Sequence, residues 1–241
     1  MAVRPGPRGD LSDQVILDAA LTVLDDKGPG ALSVRGIAAR LGVAPNALYT
    51  YFPDKAALLR ALVDRLIGER AARTLTRSDR SWRQRIHDVA LDLRAGLLRH
   101  PGAATLLLGA PMDGPQALGL GERLLDVLAG AGLDDDNAAR ASYLIIVYVL
   151  GFVALEAAEV DPTVPAPPEA DRVAARRAGF ATVPASVYPR TAASAATMAR
   201  YITTEQFSWG LDRVLDGIQG VPAGPRPSSS ALVARDAPSP G

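Results

Sequence analysis

Side chains that commonly carry catalysis or bind metal ions are scarce in this sequence. It contains two histidines, His87 and His100, and no cysteine, which excludes disulfides, thiolate zinc sites and a cysteine nucleophile. His87 is followed by Asp88, but adjacent residues on a helix point in different directions. The sequence contains no GxSxG, P-loop or HExxH motif. These features favour a binding protein over an enzyme, and we expect neither a cofactor nor a metal site.

Three residues near position 40 have the spacing of a helix-turn-helix. Ala38 is small enough to let two crossing helices approach, Gly42 can take the positive φ of the turn, and Leu48 points back into a small core. The second helix of such a pair lies in the major groove of DNA. Taken alone, the three residues also fit an ordinary helical hairpin in a bundle.

Helical elements must position these residues, and apolar side chains recur at helical spacing along most of the chain. Caps and breakers predict four early helices, which follow Ser12, span Val34–Leu41, run from Pro45 to Phe52 and begin at Asp54. Further helices are predicted near residues 82–99, 101–108, 115–129, 136–159 and 192–219. No convincing strand or repeat is present, so the predicted fold class is all-α.

Three segments lack helical periodicity. Residues 1–11 are predicted to form a disordered arm, and residues 220–241, rich in Pro, Gly, Ser and Ala, a disordered tail. Residues 161–190 contain six prolines. We interpret them as a long loop with one or two helical turns near residues 171–178.

Charge and hydropathy limit the possible partners and location. The 241 residues carry 26 basic and 26 acidic side chains, so the chain is not strongly basic and DNA binding must be argued from a motif. The longest uncharged apolar run, Ala141 to Leu155, has fifteen residues, whereas a membrane span needs about 20. The N-terminus has no apolar signal region. We therefore expect a soluble, cytoplasmic protein without a membrane partner.

The stretch LSVRGIAARLGVAPNALYTYFPDKAALLRALVD, residues 32–64, resembles the DNA-binding domain of the TetR family of transcriptional repressors. The LxxxxIAxxLGV run, the aromatic cluster after Leu48 and Lys55 carry the resemblance. The segments LLRHPGAATLLLGAP, VLGFVALEAAE and FSWGLDRVLDGI are similar to the ligand-binding and dimerisation half of the tetracycline-repressor branch. The resemblance thus covers residues 12 to 219, and it implies a DNA-binding domain with its connecting helix at residues 12–73 and a ligand-binding and dimerisation domain at residues 74–219.

The resemblance implies ten DNA-contacting residues. Contacts to the sugar-phosphate backbone would position the protein, and contacts to base edges would specify the sequence. The positioning residues are Ser33, Tyr49, Tyr51 and Lys55. The specifying residues are Asn46, Ala47 and Thr50, Arg35 contacts either a phosphate or a base, and Ala44 and Pro45 complete the exposed first turn of the recognition helix. A carboxamide such as that of Asn46 can pair with adenine, and Ala47 can contact a thymine methyl group.

The resemblance also implies a homodimer and an effector site. Family members build the dimer from their last two long helices, here near residues 136–159 and 192–219, and a dimer can read two half-sites of a double-stranded DNA operator. The effector is a small molecule held in an apolar cavity between the middle helices. Its candidate contacts are Trp82, Ile86, His87, Leu107, Met112, Tyr143, Val147 and Phe152.

Two positions distinguish this chain from the tetracycline repressors. Leu107 and Ala71 stand where the resemblance places the two histidines of a magnesium–drug site. We therefore expect an apolar effector that acts without metal. A helical protein-binding or small-molecule-binding module without DNA binding, or an enzyme, is the alternative, and activation instead of repression stays open.

Overall fold

The structure, a computed structural model, describes residues 11–160, 164 and 166–220. These residues form eleven α-helices and no strand, which confirms the all-α prediction. The helices are α1 (Asp13–Lys27), α2 (Val34–Leu41), α3 (Pro45–Tyr49), α4 (Lys55–Leu75), α5 (Trp82–Leu97), α6 (Pro101–Ala104), α7 (Pro115–Gly130), α8 (Asp135–Ala158), α9 (Glu169–Ala181), α10 (Pro189–Met198) and α11 (Thr204–Gln219). The predicted arm lies outside the described residues except for Leu11, as does the predicted tail except for Gly220.

Local sequence signals fix the first three helices. The hydroxyls of Ser12 and Ser33 accept hydrogen bonds from Val15 and Gly36 and so cap α1 and α2. Gly42 ends α2 with φ 67° and ψ 27°, a left-handed conformation that glycine adopts without steric cost. Apolar side chains of α1–α3 and the start of α4 form a first hydrophobic core, which includes Ile16, Leu24, Ile37, Ala38, Leu48 and Leu58. Residues 12–52 therefore fold as a compact three-helix head.

Helix α4 connects this head to the rest of the chain. Asp54 caps it by accepting a hydrogen bond from the Ala57 amide at 2.7 Å. The helix is not continuous, because Gly68 has φ 62° and ψ 162° and separates two helical segments. Beyond the head, α4 packs against α5 and α7. The fourth helix, expected to run to about residue 73, is thus present, but Gly68 divides it.

The longest helix, α8, lies at the centre of the second hydrophobic core. Ala141, Ile145, Val149 and Val153 are buried there against α5, α7 and α11. Among the described residues α8 is the one helix long and apolar enough to cross a membrane, with a mean hydropathy of 2.0 over its most apolar window. Core helices of soluble proteins can have the same composition, but 39% of that window is buried inside the protomer, so one apolar face of α8 is open to solvent.

The segment predicted as a long loop contains a full helix. α9 spans Glu169–Ala181, thirteen residues, instead of one or two turns near 171–178. The prolines that suggested a loop lie outside this helix: Pro168 is its N-cap residue, and Pro184 follows its end. Proline is well tolerated at the edges of helices, so its abundance in residues 161–190 did not exclude one.

Two predicted helix boundaries also differ. The helix expected over residues 192–219 is divided into α10 and α11, because Thr203 caps a new helix by accepting a hydrogen bond from the Gln206 amide. α3 ends at Tyr49 rather than Phe52. The backbone amides of Tyr51 and Phe52 still donate hydrogen bonds to the Leu48 carbonyl, at 3.0 and 2.9 Å. The chain therefore leaves α3 in a tight turn.

A buried ion-pair network joins α5, α8, α9 and α11. Glu156 of α8 accepts two hydrogen bonds from Arg94 of α5, at 2.8 and 2.9 Å, and one from Arg172 of α9 at 3.0 Å. Arg94 also donates to the Thr204 hydroxyl at 3.0 Å. The Glu156 side chain is 3% exposed and that of Arg94 10%. Removal of one partner would leave a buried charge without compensation.

We therefore expect Glu156→Ala to lower the free energy of unfolding by about 3–5 kcal/mol, because the buried Arg94 guanidinium would lose both of its short carboxylate hydrogen bonds and keep only Glu169, at 3.8 Å, and the Thr204 hydroxyl. Urea denaturation at fixed protein concentration measures this loss. Glu205→Ala is the matched control, since Glu205 pairs with Arg200 in solvent and such pairs contribute at most about 1 kcal/mol. Equal losses for both variants would contradict the buried network.

Candidate DNA-reading and ligand-binding sites

The predicted recognition helix presents its polar residues to solvent. Ala44, Pro45 and Asn46 are exposed on the first turn of α3, and Ala47 is half-buried. Leu48 is 2% exposed and anchors α3 in the head core. The short helix is thus held by one apolar side chain, and the residues before it are free to contact a surface.

The other predicted DNA contacts surround this turn. Ser33, Arg35, Tyr49, Thr50 and Lys55 are all exposed. Within the described residues, Arg35 and Lys55 form no ion pair. By contrast, Arg40, on the last turn of α2, pairs with Asp26 at 3.0 Å. Arg35 and Lys55 are therefore free to meet phosphate groups.

Tyr51 and Tyr49 differ in the hydrogen bonding and the exposure of their side chains. The Tyr51 hydroxyl donates a hydrogen bond to the Leu11 carbonyl at 2.5 Å, so it fastens the chain before α1 to the end of α3. Tyr49 is the more exposed of the two, at 48%. Of the two predicted backbone contacts, Tyr49 has the freer side chain.

An apolar cavity of about 70 Å³ lies in the second core. Its walls come from α4, α5, the 3₁₀ turn Thr105–Leu108, the loop before α7, α7 itself and α8. Leu97, Leu107, Met112, Leu120, Leu124 and Val149 are among the lining residues. Every described lining residue is apolar or glycine, so the cavity favours an apolar occupant.

Only two of the eight predicted ligand contacts, Leu107 and Met112, line this cavity. Ile86 is fully buried in the surrounding core, one helical turn before the lining residue Val89. Trp82 packs half-buried against the same core and has the Arg83 guanidinium 5.6 Å from its ring centre.

The remaining four predicted contacts point elsewhere. His87 Nε2 lies 2.9 Å from Asp212 Oδ1, on α11. This hydrogen bond is the main reason that the pKa of Asp212 lies below its ordinary value. Phe152 packs its ring against Phe207, with ring centres 5.1 Å apart. Tyr143 and Val147 are 70% and 48% exposed on the outer face of α8. The structure therefore does not bring these four together at the cavity.

Helix α7 contributes to the cavity wall, although none of the predicted ligand contacts lies on it. Ala117, Leu120, Gly121 and Leu124 line the cavity at spacings of three, four and seven residues, the pattern of one helix face. That pattern was visible in the sequence. On α8 the signal was absent, because apolar residues cover almost the whole circumference and do not identify the face towards the cavity.

The two positions related to metal-binding histidines are apolar in the structure as well. Leu107 lines the cavity and Ala71 is buried in the surrounding core. Within the described residues, no group of three or more His, Cys, Asp or Glu side chains is placed to hold a metal ion.

Comparison with known families assigns both halves of the chain. Residues 16–62 match the family described as "Bacterial regulatory proteins, tetR family". Residues 76–221 match the family described as "Tetracyclin repressor-like, C-terminal domain". The second match alone covers more than half of the 241 residues, and residues 63–75, most of α4, lie between the two matches.

Individual proteins show the same similarity. The chain is 31% identical over 146 residues to the HTH-type transcriptional repressor DrrR1 of Streptomyces coeruleorubidus, and this alignment spans 61% of the chain but only 54% of that relative. It is 32% identical over 148 residues to the class A tetracycline repressor from transposon 1721 of Escherichia coli, covering 61% and 68% of the two chains. A solved structure described as a possible TetR family transcriptional regulator from Streptomyces coelicolor A3(2) superposes with a TM-score of 0.73, at 31% identity, over 88% of this chain and 100% of that one.

Proposed function

Because the chain belongs to the TetR family of bacterial regulatory proteins, we propose that it is a ligand-responsive transcriptional repressor. It binds a palindromic double-stranded DNA operator as a homodimer in the cytoplasm. An apolar small molecule in the cavity releases it from the operator. Repression is favoured over activation because relatives such as DrrR1 and the class A tetracycline repressor are named repressors.

The observation that carries the proposal is the exposed polar surface around α3. Asn46 and Thr50 can reach base edges while Arg35, Tyr49 and Lys55 face the phosphates on either side. This combination, a carboxamide on α3 with unpaired cations on α2 and α4 on either side of it, favours DNA binding over a protein-binding module. The family is regulatory, and no catalytic role is proposed.

The homodimer is supported by the outer face of α8. Tyr143, Leu144, Val147 and Leu155 are exposed there, and α8 packs beside α11, where Trp209 is 58% exposed. Large apolar side chains concentrated on one face mark a surface that a partner covers. The apolar side chains of α11 that are buried inside the protomer, Phe207, Leu211, Leu215 and Ile218, do not contribute to this surface.

The effector class follows from the cavity lining. With no hydrogen-bonding side chain among the described lining residues, a polar or charged ligand would lose its hydration without replacement. The cavity is also smaller than the roughly 300–1,000 Å³ of typical ligand sites. A bulky apolar effector therefore has to move the walls apart to enter.

The DNA contacts predict two different mutational phenotypes. Asn46→Ala should lose about 1–3 kcal/mol of discrimination at one base pair. Lys55→Ala should weaken binding to all sequences and reduce the slope of log K against log salt by about one unit. Gel-shift titrations on the promoter region of the chain's own gene, at several salt concentrations, measure both. Lys27→Ala is the control, because Lys27 ends α1 near Asp25, on the side of the head that contacts His100 of the second half. Equal effects of Lys27→Ala and Lys55→Ala would refute the assignment of Lys55 as a phosphate contact.

The dimer surface predicts that Val147→Glu converts the dimer into a monomer, because two buried carboxylates would face each other across the two-fold axis. The mass measured by light scattering at micromolar concentration should fall from twice the 25.2 kDa chain mass to one chain mass. Leu118→Glu, on the exposed face of α7 at 56% exposure, should stay dimeric. A wild-type monomer, or dissociation by both variants, would contradict the proposed interface.

The cavity predicts binding of the neutral apolar dye N-phenyl-1-naphthylamine, which fluoresces in apolar surroundings. Gly121 lines the cavity, and a Cβ built there meets no atom within 4 Å. Gly121→Phe should therefore fill the space and weaken dye binding about tenfold or more, a loss of about 1.4 kcal/mol. Gly119→Phe, on the same helix but outside the lining and with equally open space, should bind like wild type.

Metal independence is tested in the same titrations. Dye binding and release of the operator should persist with excess EDTA, because the lining residues that the structure describes are apolar or glycine. Release that requires added magnesium would show that a metal site exists and that the proposed effector class is wrong.

A further inference from the structure

The structure contains a polar connection between the cavity wall and the helix that carries Lys55. This connection, named here the α4–α7 clasp, consists of Arg60 and Asp64 on α4 and of Asp113 and Gly114 at the start of α7. Its significance rests on the proposed function, because it concerns how an occupied cavity would change DNA binding.

Asp64 provides the cap that α7 lacks. The N-cap residue of α7 is Gly114, which has no side chain to accept a hydrogen bond from the first turn. Asp64 Oδ1 instead accepts a hydrogen bond from the Ala117 amide at 3.2 Å. A Cβ on Gly114 would lie 2.3 Å from Asp64 Oδ2, so glycine is needed for this close approach. Helix α7 thus begins on a carboxylate of α4.

Arg60 makes the second half of the clasp, one helical turn before Asp64. Its Nε and Nη2 donate to Asp113 Oδ1 and Oδ2, at 2.5 and 3.1 Å. Paired hydrogen bonds of this kind fix orientation as well as distance. The bond to Arg60 is the main reason that the pKa of Asp113 lies below its ordinary value, so the carboxylate stays charged at neutral pH.

The clasp reaches the cavity through a single residue. The Ala117 amide donates a hydrogen bond to Asp64. The Ala117 side chain lines the cavity together with Leu120, Gly121 and Leu124 of the same helix. An effector too large for a cavity of about 70 Å³ must displace such walls. Displacement of α7 would then pull directly on Asp64.

The rest of α4 offers a less direct route. Ile67 and Leu75 of α4 also line the cavity. Ile67 lies on the DNA-proximal side of Gly68, but it meets the cavity through apolar contacts, which are non-directional. Leu75 lies beyond Gly68, which interrupts the helix between Leu75 and Lys55 with a conformation that is essentially restricted to glycine. Asp64 and Arg60 lie on the DNA-proximal side of this break, in the segment that begins with Lys55. A movement transmitted through the clasp bypasses the break.

We propose that Arg60, Asp64, Asp113 and Gly114 are positioning residues that transmit occupancy of the cavity to the DNA-reading head. The clasp holds the DNA-proximal segment of α4 in register with α7, and displacement of α7 by a ligand reorients that segment together with α3. A second contact joins the two halves, between His100 Nδ1 of the loop before α6 and Asp25 Oδ2 of α1 at 2.7 Å. This contact provides the comparison for a test.

The test measures coupling directly. N-phenyl-1-naphthylamine is titrated into the full-length protein with and without operator DNA, and the ratio of the two dissociation constants gives the coupling factor, which must be the same for dye and DNA. For wild type we expect a factor of about 5–150. For Asp64→Ala and Arg60→Gln we expect a factor near 1, with dye affinity in free protein and operator affinity without dye both close to wild type.

Conservative variants and a variant of the second contact distinguish a loss of coupling through the clasp from a folding defect. Asp64→Asn keeps an oxygen acceptor for the Ala117 amide and should retain coupling. The charge exchange Arg60→Asp with Asp113→Arg should restore much of what Arg60→Gln loses. His100→Gln, which disturbs the other contact, should leave coupling near wild type. Arg60→Gln alters an exposed ion pair, so it keeps the test valid if Asp64→Ala does not fold.

Two failures are distinguishable. If the wild-type protein binds neither operator nor dye, or shows no coupling between them, the proposed function fails and the clasp with it. If wild type couples and the clasp variants couple equally well, the clasp is overturned and the proposed function stands. Loss of coupling in His100→Gln alone would assign transmission to α6 instead.

Discussion

Helix α4 belongs to two hydrophobic cores, and this constraint sets the relation between the two halves of the protein. Leu58 and Leu62 are buried with α1–α3, whereas Val63 and Ile67 are buried in the core that contains the cavity. The change from one core to the other occurs between adjacent residues. The head therefore cannot rotate on a free linker; a change in its position requires α4 to move, and α4 can move only with its neighbours in the second core.

Polar contacts then decide which neighbour moves with α4. Hydrophobic contacts are non-directional and tolerate sliding, whereas the bidentate Arg60–Asp113 pair and the Asp64–Ala117 hydrogen bond fix direction and register. A similar division of roles is present at α9. None of its residues is buried, and Arg172 and Arg176 attach it to Glu156 and Glu159 of α8. Ion pairs position the elements that the apolar cores leave undefined.

The same division explains what the sequence could predict. The head was predictable down to its exposed residues because its determinants are local: the Ser33 cap, the left-handed Gly42 and the inward Leu48 lie within sixteen positions of each other. Only one or two turns of α9 were predicted, near residues 171–178, because its stabilising partners Glu156 and Glu159 lie on and at the end of another helix. On α8 the face towards the cavity was undetermined, since apolar side chains surround the helix. Periodicity identifies a buried face only where a polar face contrasts with it, which is why Tyr143 and Val147 were assigned to the cavity.

The composition of the cavity also limits how selective this protein can be. A lining that donates and accepts no side-chain hydrogen bonds discriminates between ligands by volume and shape, and one methylene group then changes affinity by only about 1–3 kcal/mol. Sites that must satisfy a ligand hydroxyl or amide reject incorrect ligands far more strongly. Wall displacement adds a second criterion, because a molecule that fits the resting 70 Å³ cavity exerts no force on α7. We therefore expect binding to be broad among apolar molecules and the response to be restricted to those large enough to move α7, so that affinity and regulatory effect follow different properties of the ligand.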